Sequence, residues 1–379
     1  MRIRDEFFGY RAAIDAMIIE AESIPESSPF KVDGQWRDSM TWLDFVRDLS
    51  DDQLKLLRLH TGFITGKSWY TFVHSPMHDF SDVQKEKVNP VADYLKLIKE
   101  LPRQLHGEEP RNSPLLEKLG IMWNNRLITT DLLDYQRTVT NLHASGLLDT
   151  AENQIIVEIG GGYGGLAHQM IWGMNGEGCY IFIDTPQLLY WQAVFLRINN
   201  PDIAIYLYGR DSFQARGIDD IIANSRVVLL PFFVIEDLAD MPEIDIAINM
   251  ASMADMPESS IRAYCRFLAN KLRGRFYVES RYRYHGKNDL QVDLLNILAE
   301  YFDILRDPNL GENPDSLDPA YTLYPFDYEK ELGERCFIDT LSPNYCSGPN
   351  TSLSLKSKFK SIKKVIREEY DLSKIYYAT

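Results

Sequence analysis

Apolar residues recur at helical spacing through the first third of the chain. From Phe7 to about Glu22 they alternate with polar groups three and four residues apart. Thr41–Leu49 and Ser50–Phe63 predict two further helices, with Ser50-Asp51-Asp52 as the cap between them. The pattern dissolves between Gly66 and Asn89 into aromatics, histidines and Pro76, then returns over Val91–Leu101 and stops at Pro102. Asp131–Leu148 reads as a long amphipathic helix. Residues 1–150 are therefore expected to form a mostly helical N-terminal region, laid over the remainder rather than independent of it.

From Ile155 the rhythm changes. Short apolar runs at Ile155–Ile159, Cys179–Asp184, Ile203–Tyr208, Val227–Pro231, Ile244–Met250 and Arg275–Glu279 predict strands. Helical patterns separate several of them, at Gln187–Asn199, Gly217–Asn224 and Ser259–Leu272, and Asp289–Tyr301 follows the last. Strands alternating with helices predict an α/β fold built on a parallel, doubly wound sheet. Shorter apolar runs near Tyr321–Phe326 and Cys336–Leu341 close a domain spanning 151–345, and 346–379 forms a basic amphipathic tail.

One stretch of this pattern carries chemistry. The run Ile155–Ile159 passes through Gly160-Gly161-Gly162-Tyr163-Gly164-Gly165 into a helical segment, and the next strand ends on Asp184. Glycines permit backbone torsions closed to other residues and let the main chain touch a ligand. The helix that follows offers free N–H groups, and a carboxylate at the tip of the second strand can accept both hydroxyls of a ribose. Gly160, Gly162 and Gly165 satisfy the G-x-G-x-x-G of NAD proteins. Glu158 with Gly160, Gly162 and Gly164 satisfies E-x-G-x-G-x-G, the pattern of S-adenosylmethionine (SAM) methyltransferases. Glu158 favours SAM, because an acid at the strand end repels a pyrophosphate but can hold the ammonium of a methionine. A short-chain dehydrogenase would also need Tyr-x-x-x-Lys near the later strands. The one instance, Tyr370 with Lys374, lies in the tail.

Composition narrows the partners. The net charge of −15 over 379 residues argues against nucleic acid. Four cysteines without a C-x-x-C pair suggest neither a zinc site nor a disulfide framework. No run approaches the roughly 20 apolar residues of a spanning helix, and the first residues lack the apolar core of a signal peptide, so a cytoplasmic protein is expected. The lysines of the tail, Lys356, Lys358, Lys360, Lys363 and Lys364, read as a solvated helix face. Homo-oligomerisation is left open.

Around the glycine unit the chain resembles the sugar O-methyltransferases found among bacterial surface-polysaccharide and glycosylated-metabolite genes. The resemblance covers roughly Leu115 to Tyr284. It rests on Glu158–Gly164, on Asp184-Thr185-Pro186, and on Asn249…Ser252…Asp255-Met256, with Thr185 in place of the family's usual Leu and Asp255 in place of its usual Glu. It implies a Rossmann-like class I SAM methyltransferase fold and transfer of a methyl group to a sugar hydroxyl. Glu158 and Gly160, Gly162 and Gly164 would lie at the methionine part, Asp184 at the ribose, and the loop after the third strand at the adenine. Taking Val227–Pro231 as that strand makes Phe232 the adenine neighbour; taking Ile203–Tyr208 gives Asp211. Asn249 is expected at the cofactor.

A sugar hydroxyl is a weak acid, so a positioned base or a metal is expected. His285, just after the last parallel strand, is the first candidate, and Asp255 the second, as base or as orienter of His285. His143 sits on the helix before the first strand, and His74 and His78 flank Pro76, which removes the meaning of their spacing. Trp69, Tyr70, Trp123 and Tyr135 could stack on a sugar ring. A magnesium ion is compatible with Asp184, Asp255 and Glu279, but their spacing does not require one. The rival readings are an NAD(P)-dependent sugar oxidoreductase and a SAM-fold scaffold without catalysis.

Overall fold

Helix α1, Ile3–Glu22, lays one face on the main body and buries Phe7, Tyr10, Ala13, Ile14 and Met17 there. The computed structural model describes residues 3–31, positions 47, 49, 50, 54 and 58, residues 90–279 apart from 110–120, 125, 175, 177, 211, 212, 251, 254 and 255, and residues 294–305 and 321–325. Helix α2, Pro90–Ile98, precedes a hairpin of β1, Ile121–Trp123, and β2, Arg126–Ile128. The hairpin is absent from the periodicity because each strand has three residues; its turn uses Asn124 at φ 47°, a conformation asparagine tolerates. Helix α3, Thr130–Ala144, starts where the Thr129 hydroxyl accepts the Leu132 N–H at 3.0 Å.

The alternating segment folds in order. Strand β3, Ile155–Ile159, leads through the glycine loop to α4, Gly165–Gly173, then β4, Cys179–Asp184, and α5, Pro186–Asn199. Strand β5, Ile205–Leu207, helix α6, Ile218–Ala223, and β6, Val227–Pro231, follow. Next come β7, Ile244–Met250, α7, Glu258–Lys271, β8, Leu272–Glu279, α8, Leu294–Ala299, β9, Phe302–Leu305, and β10, Tyr321–Pro325. The described strands from β3 onward form one sheet in the order β5-β6-β4-β3-β7-β8-β10-β9. The first six of these are parallel neighbours, and β10 runs antiparallel to both β8 and β9. This is the doubly wound α/β sheet expected from the sequence. The strands are near-continuous apolar runs because helices cover both faces, and every residue of β4 is buried. Val227–Pro231 is the strand paired with β4, and the rival Ile203–Tyr208 supplies the edge strand outside it.

The hydrophobic core is continuous from α1 and α3 through the sheet to α8. Among the described residues no helix is long and apolar enough to cross a membrane. At the amino edge of the sheet β8 carries an irregularity opposite Asp245, whose carboxylate accepts the Ile155 N–H at 2.8 Å and the Arg273 guanidinium. Gly274 lies there, and a Cβ on it would come within 1.8 Å of the Asp245 carbonyl oxygen. The obstacle is backbone held by two strand neighbours. Gly274→Ala is therefore expected to destabilise the protein by at least the roughly 1–3 kcal/mol of an overpacked core position. Urea unfolding measures this, and an unchanged midpoint would contradict it.

Candidate cofactor site at the switch point of the sheet

The chain leaves β3 for β4 on one side and returns to β7 on the other, so the carboxyl end of β3 is the point where the winding reverses. Crevices at such points receive ligands. Gly160, Gly162 and Gly164 adopt φ of +73°, +57° and +93°, which coils the loop tightly before α4. Glu158, the penultimate residue of β3, is 2% exposed and accepts a hydrogen bond from the Tyr180 hydroxyl at 2.8 Å. Asp184 ends the neighbouring strand, also buried, and accepts the Thr185 N–H at 2.8 Å and the Gln192 amide at 2.7 Å. The same Gln192 nitrogen donates to the Gly162 carbonyl at 2.9 Å, so one side chain of α5 ties the loop to the carboxylate.

Electrostatically the pair is under-compensated. Burial pushes Glu158 up to about 8; the Tyr180 hydroxyl opposes the rise and the nearby Asp184 adds to it. Burial also lifts Asp184 to about 7, against hydrogen bonds from Thr185, Gln192 and the Gly161 N–H. Two desolvated carboxyls beside a glycine cradle are a setting that a ligand with a cationic group and vicinal hydroxyls would complete.

Around this centre the predicted residues separate. Phe232 opens the turn after β6, is 5% exposed, and meets Phe233 edge-on at 5.5 Å. Asn249 is fully buried and commits its amide nitrogen to the Ile159 carbonyl at 2.8 Å and to Ser252 Oγ at 2.5 Å. Ser252 also donates to the Ile159 carbonyl, at 3.0 Å. Asn249 and Ser252 thus lock the end of β7 against the end of β3, and a Cβ on Gly160 would strike Ser252.

His285, Asp255, Asp211, His74, His78, Trp69 and Tyr70 lie outside the described residues, as does the basic tail. The magnesium grouping fails on topology. Asp184 ends β4 and Glu279 ends β8, with β3 and β7 between them, so about 14 Å separates the strand ends at about 4.8 Å per neighbour. Carboxylates ligate one ion only within about 2.6 Å of it. Among the described residues no group of three His, Cys, Asp or Glu is arranged to hold a metal. Glu279 instead accepts the Tyr277 hydroxyl at 3.0 Å and faces Thr138 of α3 at 3.4 Å. Helix α3 runs antiparallel to β8, with Asn141 on Tyr277 and Ser145 on Arg275. That direction carries His143 toward the amino edge, away from the crevice. Trp123 packs on the small cluster of Tyr94, Ile128, Leu132 and Leu133, and Tyr135 meets Tyr163 edge-on at 5.9 Å.

A second polar cluster lies against the loop. Arg58 donates to both oxygens of Glu109, at 3.1 and 2.6 Å, and reaches Asp131 at 3.0 Å. Thr129 donates its hydroxyl to Glu109. The Arg58 guanidinium sits 5.0 Å from the centre of the Tyr163 ring. Burial opposes the Arg58 charge, but Glu109, Tyr163 and Asp131 outweigh it and raise its pKa well above the ordinary arginine value. The cluster joins segments 51 and 73 positions apart, a distance over which sequence spacing gives no signal.

No protein-family model matches the chain, and no curated protein matches it in sequence. Among solved structures it is similar to precorrin-6y C5,15-methyltransferase from Geobacter metallireducens GS-15, at 14% identity over 50% of this chain and 84% of that one, with a TM-score of 0.29. It is similar also to magnesium protoporphyrin IX methyltransferase from Synechocystis PCC 6803, at 12% identity over 62% and 96% of the two chains, with a TM-score of 0.32. A third is the mitomycin 7-O-methyltransferase MmcR, at 14% identity over 83% and 93%, with a TM-score of 0.29.

Proposed function

We propose that the protein is a SAM-dependent O-methyltransferase whose acceptor is a sugar hydroxyl, free or within a sugar nucleotide or glycoconjugate. The observation that carries the reading is the buried Glu158 under a glycine loop of left-handed residues, with Asp184 tied to the same loop through Gln192. A dinucleotide would bring a pyrophosphate toward Glu158; a SAM ammonium would bring the charge that this carboxyl lacks. Asp184 suits two ribose hydroxyls, and Phe232 an adenine face. Bound SAM would supply an electrophilic methyl group. The chain's own task is then to align the acceptor oxygen and take its proton, which we assign to His285 with Asp255. The sugar class rests on the Asn249…Ser252…Asp255-Met256 segment and its family resemblance.

Titration calorimetry with S-adenosylhomocysteine (SAH) and with NAD tests the cofactor half. SAH is expected to bind and NAD not to; binding of NAD alone would sink the proposal. Mass spectrometry across sugar nucleotides and glycoconjugates tests the acceptor half through the mass of one added methylene. SAH binding without any such gain would favour the scaffold reading. Once an acceptor is found, His285→Ala and Asp255→Ala are expected to slow turnover, and full activity in both would remove that assignment.

A further inference from the structure

The glycine loop has one side chain to hold it. Between Gly160 and Gly165 only Tyr163 projects beyond hydrogen, and it stands between two left-handed glycines. Its ring is enclosed on three sides: Phe195 of α5 edge-on at 4.9 Å, Tyr135 of α3 edge-on at 5.9 Å, and the Arg58 guanidinium at 5.0 Å. The first two are ordinary packing; the third is not. Arg58 is 5% exposed and is fixed by Glu109 and Asp131, whose side chains are equally buried. Two carboxylates and one guanidinium are a poor way to gain stability, because desolvation consumes most of their attraction. What such a group does well is fix orientation, since the planar guanidinium allows few arrangements that satisfy both acids. Here it fixes three stretches at once: the chain at Arg58, the segment at Glu109, and the capped first turn of α3 with Thr129 and Asp131. All three bear on Tyr163.

We infer that Arg58, clamped by Glu109 and Asp131, is a positioning residue for the cofactor: through the face of Tyr163 it sets the glycine loop, and so gives the N-terminal region control of cofactor affinity. This rests on the SAM reading above. Arg58 touches no cofactor atom in this scheme; it acts through the loop.

The test is SAH titration into the full-length native protein, Arg58→Lys, and the neutral triple variant Arg58→Met/Glu109→Gln/Asp131→Asn, at a temperature well below each variant's melting point. The triple variant leaves no buried charge unpaired, so it is expected to fold cooperatively. Its SAH affinity is expected to fall about tenfold, with Arg58→Lys between it and the native protein, because an ammonium lacks the planar fork. A role in stability alone would shift the melting temperature and leave affinity in the folded protein unchanged. An affinity loss below about fivefold in the folded triple variant overturns the inference. So does failure of both variants to fold, which would make the cluster a stability element. If native protein binds no SAH, the SAM reading falls and takes this inference with it; if native binds and the variants bind equally, only this inference falls.

Discussion

Gly160→Val is expected to weaken SAH binding by more than about 100-fold. Gly160 has φ +73°, and a Cβ built there would lie 2.2 Å from Ser252 Oγ and 2.5 Å from its Cβ. An L-residue in the left-handed region costs roughly 1–2 kcal/mol, and forcing atoms into a filled site costs roughly 1–3 kcal/mol more. Ser252 cannot swing aside cheaply, because it is bonded to the Ile159 carbonyl and to Asn249. The strain is relieved by displacing the loop from its cradle, against the Tyr163 packing and the Gly160 N–H bond to the Ile183 carbonyl that hold it. Binding must then restore the strained form, and about 3 kcal/mol of restoration is roughly two decades of affinity. Gly176→Ala is the control: nothing lies within 4 Å of a Cβ there, so affinity should stay at the native value. Native-like SAH affinity in Gly160→Val would show that the loop is not the cradle.

The legible part of this site is the part that is contiguous. Glu158, Gly160, Gly162, Gly164 and Asp184 fall within 27 residues, in the order strand, turn, helix, strand, and local sterics dictate each type. Gln192 carries an equally local signal. It is the one residue in Leu188–Leu196 that is neither aliphatic nor aromatic, and an amide in a helix buried on every side must find partners inside the protein. Its partners turned out to be Asp184 and Gly162. At the carboxyl end of β7, Asn249 reads as a ligand contact; its amide nitrogen also bonds the neighbouring strand and Ser252, partners that spacing along the chain does not reveal. Arg58, Glu109 and Asp131 left no trace in the sequence, since charged residues in separate stretches of chain ordinarily face solvent. Only the packing of those stretches against Tyr163 brings them together. In the fold, the long apolar strands could be read from hydrophobic runs, whereas the three-residue strands of the β1–β2 hairpin are too short to show a period.

Cofactor affinity and cofactor-free stability are expected to run in opposite directions with pH, with Glu158 as the cause. Its carboxyl stands at about 8 in the folded protein against an ordinary value of 4.5. A carboxyl with a raised folded pKa is held more tightly as the acid in the native state than in the unfolded one. Its contribution to stability is therefore complete below pH 4.5 and is lost as pH rises through about 8. Binding has the reverse sign. The ammonium of SAH needs the ionised carboxylate, so apparent affinity follows the ionised fraction and should rise about tenfold per unit up to pH 8, then level off. Asp184, at about 7, steepens the slope at the lower end. Each binding event below pH 8 also releases a proton, visible as a heat that depends on the buffer's ionisation enthalpy. Glu158→Gln keeps an acceptor for the Tyr180 hydroxyl and removes the titration. It should bind more weakly than native protein at pH 9, and the Glu158 share of the pH slope should vanish from both affinity and melting temperature. Melting curves and SAH titrations from pH 6 to pH 9 decide the matter. A native dissociation constant that does not change across that range would mean the cofactor's charge never meets Glu158, and the acid would then be no more than a partner for Tyr180.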